Sequence, residues 1–379
     1  VKPARLPHWD MAAVFPGLDS PAFAAGYQRA VEKVDALESL FDAHAIGDPA
    51  VPASFGAETV GIFEAVLTQI NDTMDVVHEV SAYVSSFIAT DSRNSQAQAL
   101  WSRIQLQGVR LSKLGTRLTA WLGQLPIKSL VENSPVAAAH AYALEKAHIQ
   151  AEHLLPRASE ELAADLSTTG GDAWSKLYGN FTSQLMVPLE LEGKQTELPM
   201  SSVRNLAFHR ERSVRQRGHE AELSAWEKAS VPLAAALNSI KGEVNTLVRH
   251  RGWGSALETT LVQNNMRQES LDAMMTAAWE SFPDFRRYFR AKARLLGREQ
   301  LAWFDIFAPV TINGAENVWS YDQATEFIVQ QFATFSPRLR DLAVRSFQEQ
   351  WIDAEPRPGK RDGAFCMRLR KDESRILMN

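Results

Sequence analysis

The sequence predicts a mainly α protein, a multi-helix assembly with two short β-hairpins, on three observations. Apolar residues recur at helical spacing through most of the 379 residues. Period-two alternation, the mark of a half-buried strand, occurs in only two places, shortly before residue 199 and after residue 364. The apolar fraction of 45% is ordinary for a packed globular protein.

Taken in order, Pro16-Gly17-Leu18-Asp19-Ser20-Pro21 turns into a first helix, with Ser20 as N-cap and Pro21 at the first helical position. It is expected to run to about His44, where Gly47-Asp48-Pro49 stops it. A second helix starts near Glu58 and continues past Val84, with Ile62, Val66, Ile70 and Met74 on one face. A third covers Ser92 to Leu122, and Leu106, Val109, Leu111, Leu114 and Leu118 recur along it. Alanine-rich helical pattern then spans Pro135 to Leu166. Ser167-Thr168-Thr169-Gly170-Gly171 breaks it, and Asp172 is placed to cap a short helix through Trp174 and Leu177. No Gly-Lys-Ser/Thr follows the Gly-Gly pair, so it is not a phosphate loop.

The first strand signal is Leu185, Val187, Leu189 and Leu191 alternating with polar neighbours and Pro188. Glu192-Gly193-Lys194 turns it, and Gln195 to Leu198 returns. Pro188 cannot donate to a ladder, which places its strand at an edge. This hairpin closes a first domain, 1–198, and a second runs over 199–379.

From Ser202 to about Gly252 the pattern is helical, and Leu233, Leu237, Ile240, Val244 and Leu247 make one stripe expected to be buried. The basic residues between Arg204 and His219 alternate with Glu211 and Glu220, a solvated, salt-bridged face. Helices are expected at Gln268 to Glu280, Pro283 to Gly297, Ser320 to Ser336 and Pro337 to Trp351. In the closing stretch, Phe365, Met367 and Leu369 alternate with Cys366, Arg368 and Arg370, and Lys371-Asp372-Glu373 turns into a returning strand ending at Asn379. The chain opens on Val1 and stops on a newly paired hairpin, so both ends read as cut.

A net charge of −5 offers no field for nucleic acid, and no apolar run of membrane-spanning length or secretory leader is present. The single cysteine, Cys366, excludes an internal disulfide and fits a reducing compartment. The histidines do not make a metal site by spacing. His148 and His153 are five apart, and Ala82 and Leu223 stand where His78-Glu79 and His219-Glu220 would need a second histidine. Composition and spacing alone therefore give a helical scaffold without a complete catalytic constellation.

Several blocks carry a resemblance. LNSIKGEVNTLVRHRGWGSALETTLVQNNM (Leu237 to Met266), YFRAKARLLGREQLAWFDIFAPV (Tyr288 to Val310) and WIDAEPRPGKRDGAFC (Trp351 to Cys366) resemble the oligoendopeptidase F family of zinc metallopeptidases, relatives of thimet oligopeptidase. LPHWDMAAVFPGLDSPAF and TTGGDAWSKLY are similar to that family's N-terminal region. The resemblance implies the start of a thimet-oligopeptidase-like helical peptidase fold, with 199–379 as the first part of a truncated catalytic domain. It implies an enzyme of the cytoplasm that cleaves short peptides.

In that family a helix carrying H-E-x-x-H follows the closing hairpin and binds zinc, so the catalytic and metal residues are expected beyond Asn379 and none within this chain. What the resemblance places here is a substrate-binding strand, Gly363, Ala364, Phe365 and Cys366, along which an extended peptide pairs by its backbone. Asp362 stands where the family more often has a small residue. An ordinary internal strand is the other reading of that run. The alternative function is a non-catalytic helical module that binds peptides or a protein. A third, a nucleic-acid surface over Arg204 to Arg217, has only that cluster behind it. The closing hairpin is also expected to leave an apolar face uncovered, through which the chain self-associates.

Overall fold

The computed structural model describes residues 6–310 and 319–378, so Val1 and Asn379 lie outside the described residues. Helices α1 (Pro21–Ala43), α2 (Ala57–Thr90) and α3 (Ser95–Leu122) form where the apolar periodicity places them. Ser20 caps α1 by accepting from the Phe23 N–H at 3.1 Å, and Asn94 caps α3 through Ala97. Packed side by side, the three bury two apolar clusters. One gathers Phe41, Phe63, Val66 and Leu114; the other gathers Phe23, Val34, Tyr83 and Ile104. Phe15 sits edge-on to Tyr83 at 5.0 Å and accepts the Tyr83 hydroxyl on its carbonyl at 3.0 Å. Burial, with the charge of Asp19, pushes that phenol up to about 12.

The expected run from Pro135 to Leu166 is interrupted. After α4 (Ile127–Asn133) come α5 (Pro135–Ala139), α6 (Ala141–Ala151) and α7 (Arg157–Ser167). The next helix, α8 (Gly171–Ser183), is not capped by Asp172, which already lies in its first turn and accepts from the Ser167 hydroxyl at 3.1 Å. The Gly171 N–H is instead taken by the carboxylate of Glu243, far along the chain. Strands β1 (Met186–Leu191) and β2 (Lys194–Pro199) then pair as the alternation predicts, with Val187 and Leu189 buried and Pro188 opposite Glu197. The sheet has only these two strands, so Pro188 does lie on an edge.

Past α9 (Met200–Asn205), the long α10 (Arg212–His250) departs from expectation in burial. Leu237 is 56% exposed and Val244 41% exposed, while Leu233, Ile240 and Leu247 are half-buried, so the predicted stripe is only partly covered. An amphipathic stripe requires a partner, and α8, whose first turn meets Glu243, covers only part of this one. The basic half of α10 is not all solvated either. Arg215 is buried against Asp305 at 2.9 Å and donates to the carbonyls of His209 and Arg210.

Beyond α11 (Ala256–Gln263), α12 (Gln268–Leu295) runs through Pro283 without dividing there; proline removes one hydrogen bond, and the turns on both sides continue. This helix, with α13 (Tyr321–Phe335) and α14 (Pro337–Gln348), leaves Trp279, Phe285, Tyr288, Phe332 and Phe335 exposed. No helix among the described residues is long and apolar enough to cross a membrane.

The closing stretch is a three-stranded sheet. Between β3 (Ile352–Asp353) and β4 (Phe365–Arg370) lies the last strand in sequence, β5 (Glu373–Leu377), parallel to β3 and antiparallel to β4. Its apolar side is not uncovered as expected. Leu369 is fully buried in the cluster around Tyr83 and Val80, with Met367 packed beside it. The exposed apolar surface lies on α10, α12 and α13 instead.

One buried ionic knot ties this sheet together. The Asp353 carboxylate takes two bonds from Arg357, at 2.7 and 2.9 Å, and one from Lys360 at 2.7 Å. Lys360 Nζ, fully buried, also reaches the carbonyls of Asp353, Glu355 and Met378. Burial alone would raise the Asp353 carboxyl, but the bonds from Arg357 and Lys360 outweigh it and hold it below the usual range. We expect Lys360→Met to cost about 3 kcal/mol in urea denaturation, because the Asp353 charge and three carbonyls lose a buried partner.

Acid should act through the same carboxylate. Its folded value lies below its unfolded one, so the unfolded chain takes up the proton first as pH falls. The Asp353 contribution is therefore complete above about pH 4 and lost below it. Between pH 6 and 3, stability should fall less steeply in Asp353→Asn than in the wild type.

Candidate functional site

The loop between β3 and β4 is clamped to the helical shell before it enters the candidate strand. Gly359 donates to the Ser183 carbonyl at 3.1 Å and accepts from the Ser92 N–H at 2.8 Å. Arg361 N–H bonds the Ala89 carbonyl at 2.8 Å. Gly359 has φ +84°, and a Cβ there would fall 2.5 Å from Asp91 Oδ1, so only glycine fits. Arg204, on α9, then holds Asp362 at 2.6 Å while its guanidinium lies over the Trp226 ring. Asp362, the departure from the family pattern, is thus used to fasten the entry to β4.

Of the four predicted substrate-binding residues, Gly363 and Ala364 precede β4 and are exposed, while Phe365 and Cys366 are its first two residues. Gly363 turns the chain with φ +86°, and nothing lies within 4 Å of where its Cβ would be. The Phe365 ring stands edge-on to Trp9 at 6.4 Å, and the Cys366 thiol is exposed.

The direction of each backbone group follows from the ladder. Within a strand, the N–H and C=O of one residue point the same way, and neighbours point oppositely. Ile376 donates to the carbonyl of Trp351, just before β3, and Met378 to that of Asp353, so Arg375 and Leu377 face β4. Their partners Met367 and Phe365 face back toward β5. Ala364, Cys366 and Arg368 therefore turn their backbone groups outward, away from the sheet. Since β4 is an edge strand among the described residues, the outward groups of Ala364 and Cys366 are available to a further strand.

The histidines examined for metal spacing are engaged singly. His153 stacks on Trp253 at 3.5 Å and bonds the Arg251 carbonyl, and His78 donates to the Arg368 carbonyl at 2.9 Å. Among the described residues, no group of three His, Cys, Asp or Glu side chains is placed to hold a metal ion. The outward set of backbone groups and the role of His78 were missed from sequence. The first depends on the pairing of β5 with the two-residue β3, and the second on a contact 290 residues apart along the chain, and neither has a local signal.

Comparison with known proteins agrees with the resemblance. A family model described as Oligopeptidase F matches residues 122–186. Group B oligopeptidase PepB of Streptococcus agalactiae is 24% identical over 246 residues, 64% of this chain and 41% of that protein. Oligopeptidase PepF of Bacillus subtilis is 20% identical over 63% of this chain and 36% of that one. The chain thus spans roughly two-fifths of the length of these curated relatives. Among solved structures, oligoendopeptidase-F from Enterococcus faecium superposes with a TM-score of 0.62 at 17% identity, over 86% of this chain and 71% of that one. A putative oligoendopeptidase F from Bacillus anthracis gives 0.66 at 14%, over 93% and 60%. In sequence and in fold, the chain is a relative of oligoendopeptidase F.

Two substitutions probe the strand entry. Gly363→Ala should cost about 1 kcal/mol through its positive φ alone, since no atom is close enough to clash. Arg204→Ala should change global stability by less than about 1 kcal/mol, because the pair it breaks is partly exposed. Amide hydrogen exchange at Asp362 to Ala364 should nonetheless speed up.

Proposed function

We propose that this chain is the N-terminal portion of a zinc-dependent oligoendopeptidase of the cytoplasm, which hydrolyses internal bonds of short peptides. The observation that carries the reading is the outer edge of β4, a strand edge with small residues at its entry, in a chain related to named oligopeptidases. An extended peptide laid beside it finds outward donors and acceptors at Ala364 and Cys366. Pairing of this kind reads backbone and is largely indifferent to side chains. Gly363 leaves room for the incoming chain. The surrounding helices would form a wall that a short peptide can pass and a folded protein cannot.

In this reading zinc supplies activation of the attacking water and polarisation of the scissile carbonyl. The residues described here do not fit such a site, and no metal-dependent step is assigned to them. The ligands belong, in this proposal, to sequence outside the chain. The exposed faces of α10, α12 and α13 are then the surfaces against which that sequence would pack, and through which the isolated chain would self-associate.

Two measurements test the proposal. The chain supplied with zinc should not turn over a quenched fluorescent peptide, and chelator-sensitive turnover would overturn the division of labour proposed here. A saturating short unstructured peptide should slow amide exchange at Cys366, which faces outward, and leave Met367, bonded toward β5, unchanged. Equal effects at both would remove the edge from consideration.

A further inference from the structure

The outer edge of β4 is not open along its whole length. Arg368 is the third residue whose backbone groups face away from β5, and its carbonyl is already occupied. His78 Nε2 lies 2.9 Å from that oxygen, and since a carbonyl can only accept, the ring nitrogen carries the proton and donates. The same helix fastens the strand a second time, through Asp75 and the Arg368 guanidinium at 2.7 Å. Leu369 then plunges into the core beside α2, and the ladder is bulged between Arg368 and Arg370. At the N-terminal end of the strand, nothing lies within 4 Å of where a Gly363 Cβ would sit.

We propose that His78 is a specificity-determining stop. By occupying the Arg368 carbonyl it ends the pairable edge after Cys366, and so limits how many residues of a bound peptide can pair with β4. The proposal rests on the pairing of peptides along β4 argued above. From Gly363 to Cys366 the edge spans about 10 Å at the rise of a strand, room for roughly four paired residues. A peptide longer than that must bend away at His78 and gains nothing from its further backbone. His78 touches no reacting atom in this account; it positions the bound strand by denying it one acceptor.

The test measures binding against peptide length. Fluorescein-labelled, capped alanine-serine peptides of three to eight residues would be titrated into the 379-residue chain and followed by fluorescence polarisation. In the wild type, affinity should rise with length to about four residues and then level off. In His78→Ala the rise should continue for about two more residues, tightening the longest peptides by on the order of threefold to tenfold, the worth of one hydrogen bond. His78→Gln, whose amide can still donate to the carbonyl, should restore the early plateau, a rescue that a merely structural loss would not show. Circular dichroism melts of the variants check that each is folded.

A wild-type series methylated at alternate peptide nitrogens tests the underlying edge without altering the protein, and should lose affinity. If methylation weakens binding but His78→Ala leaves the plateau where it was, the stop is wrong and the edge stands. If methylation has no effect, or no peptide binds at any length, the edge reading itself fails and the stop with it.

Discussion

Asp353 and the two cations around it tie β3 to the end of β5, and so hold the closing sheet in the order that leaves β4 at its edge. The strand β3 is two residues long and cannot define a sheet by itself. It is Lys360, reaching back to the Asp353 carbonyl and across to Met378, that keeps β3, the following loop and the end of β5 in one place. A lysine with no solvent exposure would be untenable without a counter-charge, and Asp353 would be untenable without the Arg357 fork. Each is stable only because the others are present. From that knot the loop is carried to α2 and α8 through Gly359, and the candidate strand begins where the loop lets go.

Much of the helical half was legible because its residues are repetitive in the right way. Ser20 before Pro21 marks a helix start, and of the residues that spacing puts on helical faces Val66 and Leu114 meet in one core, while Met74 and Leu106 are exposed. The stripe from Leu233 to Leu247 follows the same rule, yet Leu237 and Val244 within it are exposed. A stripe specifies that a face seeks cover, and says nothing of what supplies it. Pro283 was read as a boundary because proline weakens a helix, yet one missing bond does not end a helix of 28 residues. Arg215 passed for a surface charge because its partner, Asp305, is 90 residues away in sequence.

The site was legible to a smaller degree. Strand alternation from Phe365 onward located β4, and resemblance to a family attached a role to Gly363–Cys366. Neither could say which backbone groups point outward, since that depends on β5 sharing its other side with β3. A two-residue strand has no periodicity to detect. His78-Glu79 begins like a metal-binding helix, and nothing in the neighbours Val77 and Glu79 connects His78 to a carbonyl in β4. Information of that kind exists only once the chain has closed on itself.

The distance along the chain between His78 and Arg368, 290 residues, has a consequence for how the molecule is made. A ribosome adding 5–20 residues per second emits α2 roughly 15 to 60 seconds before the strand that covers it. Throughout that interval the seat for Leu369 beside Tyr83 and Val80 stands bare on a nascent helix. The strand β5, inserted between β3 and β4, can settle only after both have been made. Such late, non-local closure is slow, and it leaves newly made chains exposed to aggregation and dependent on chaperones.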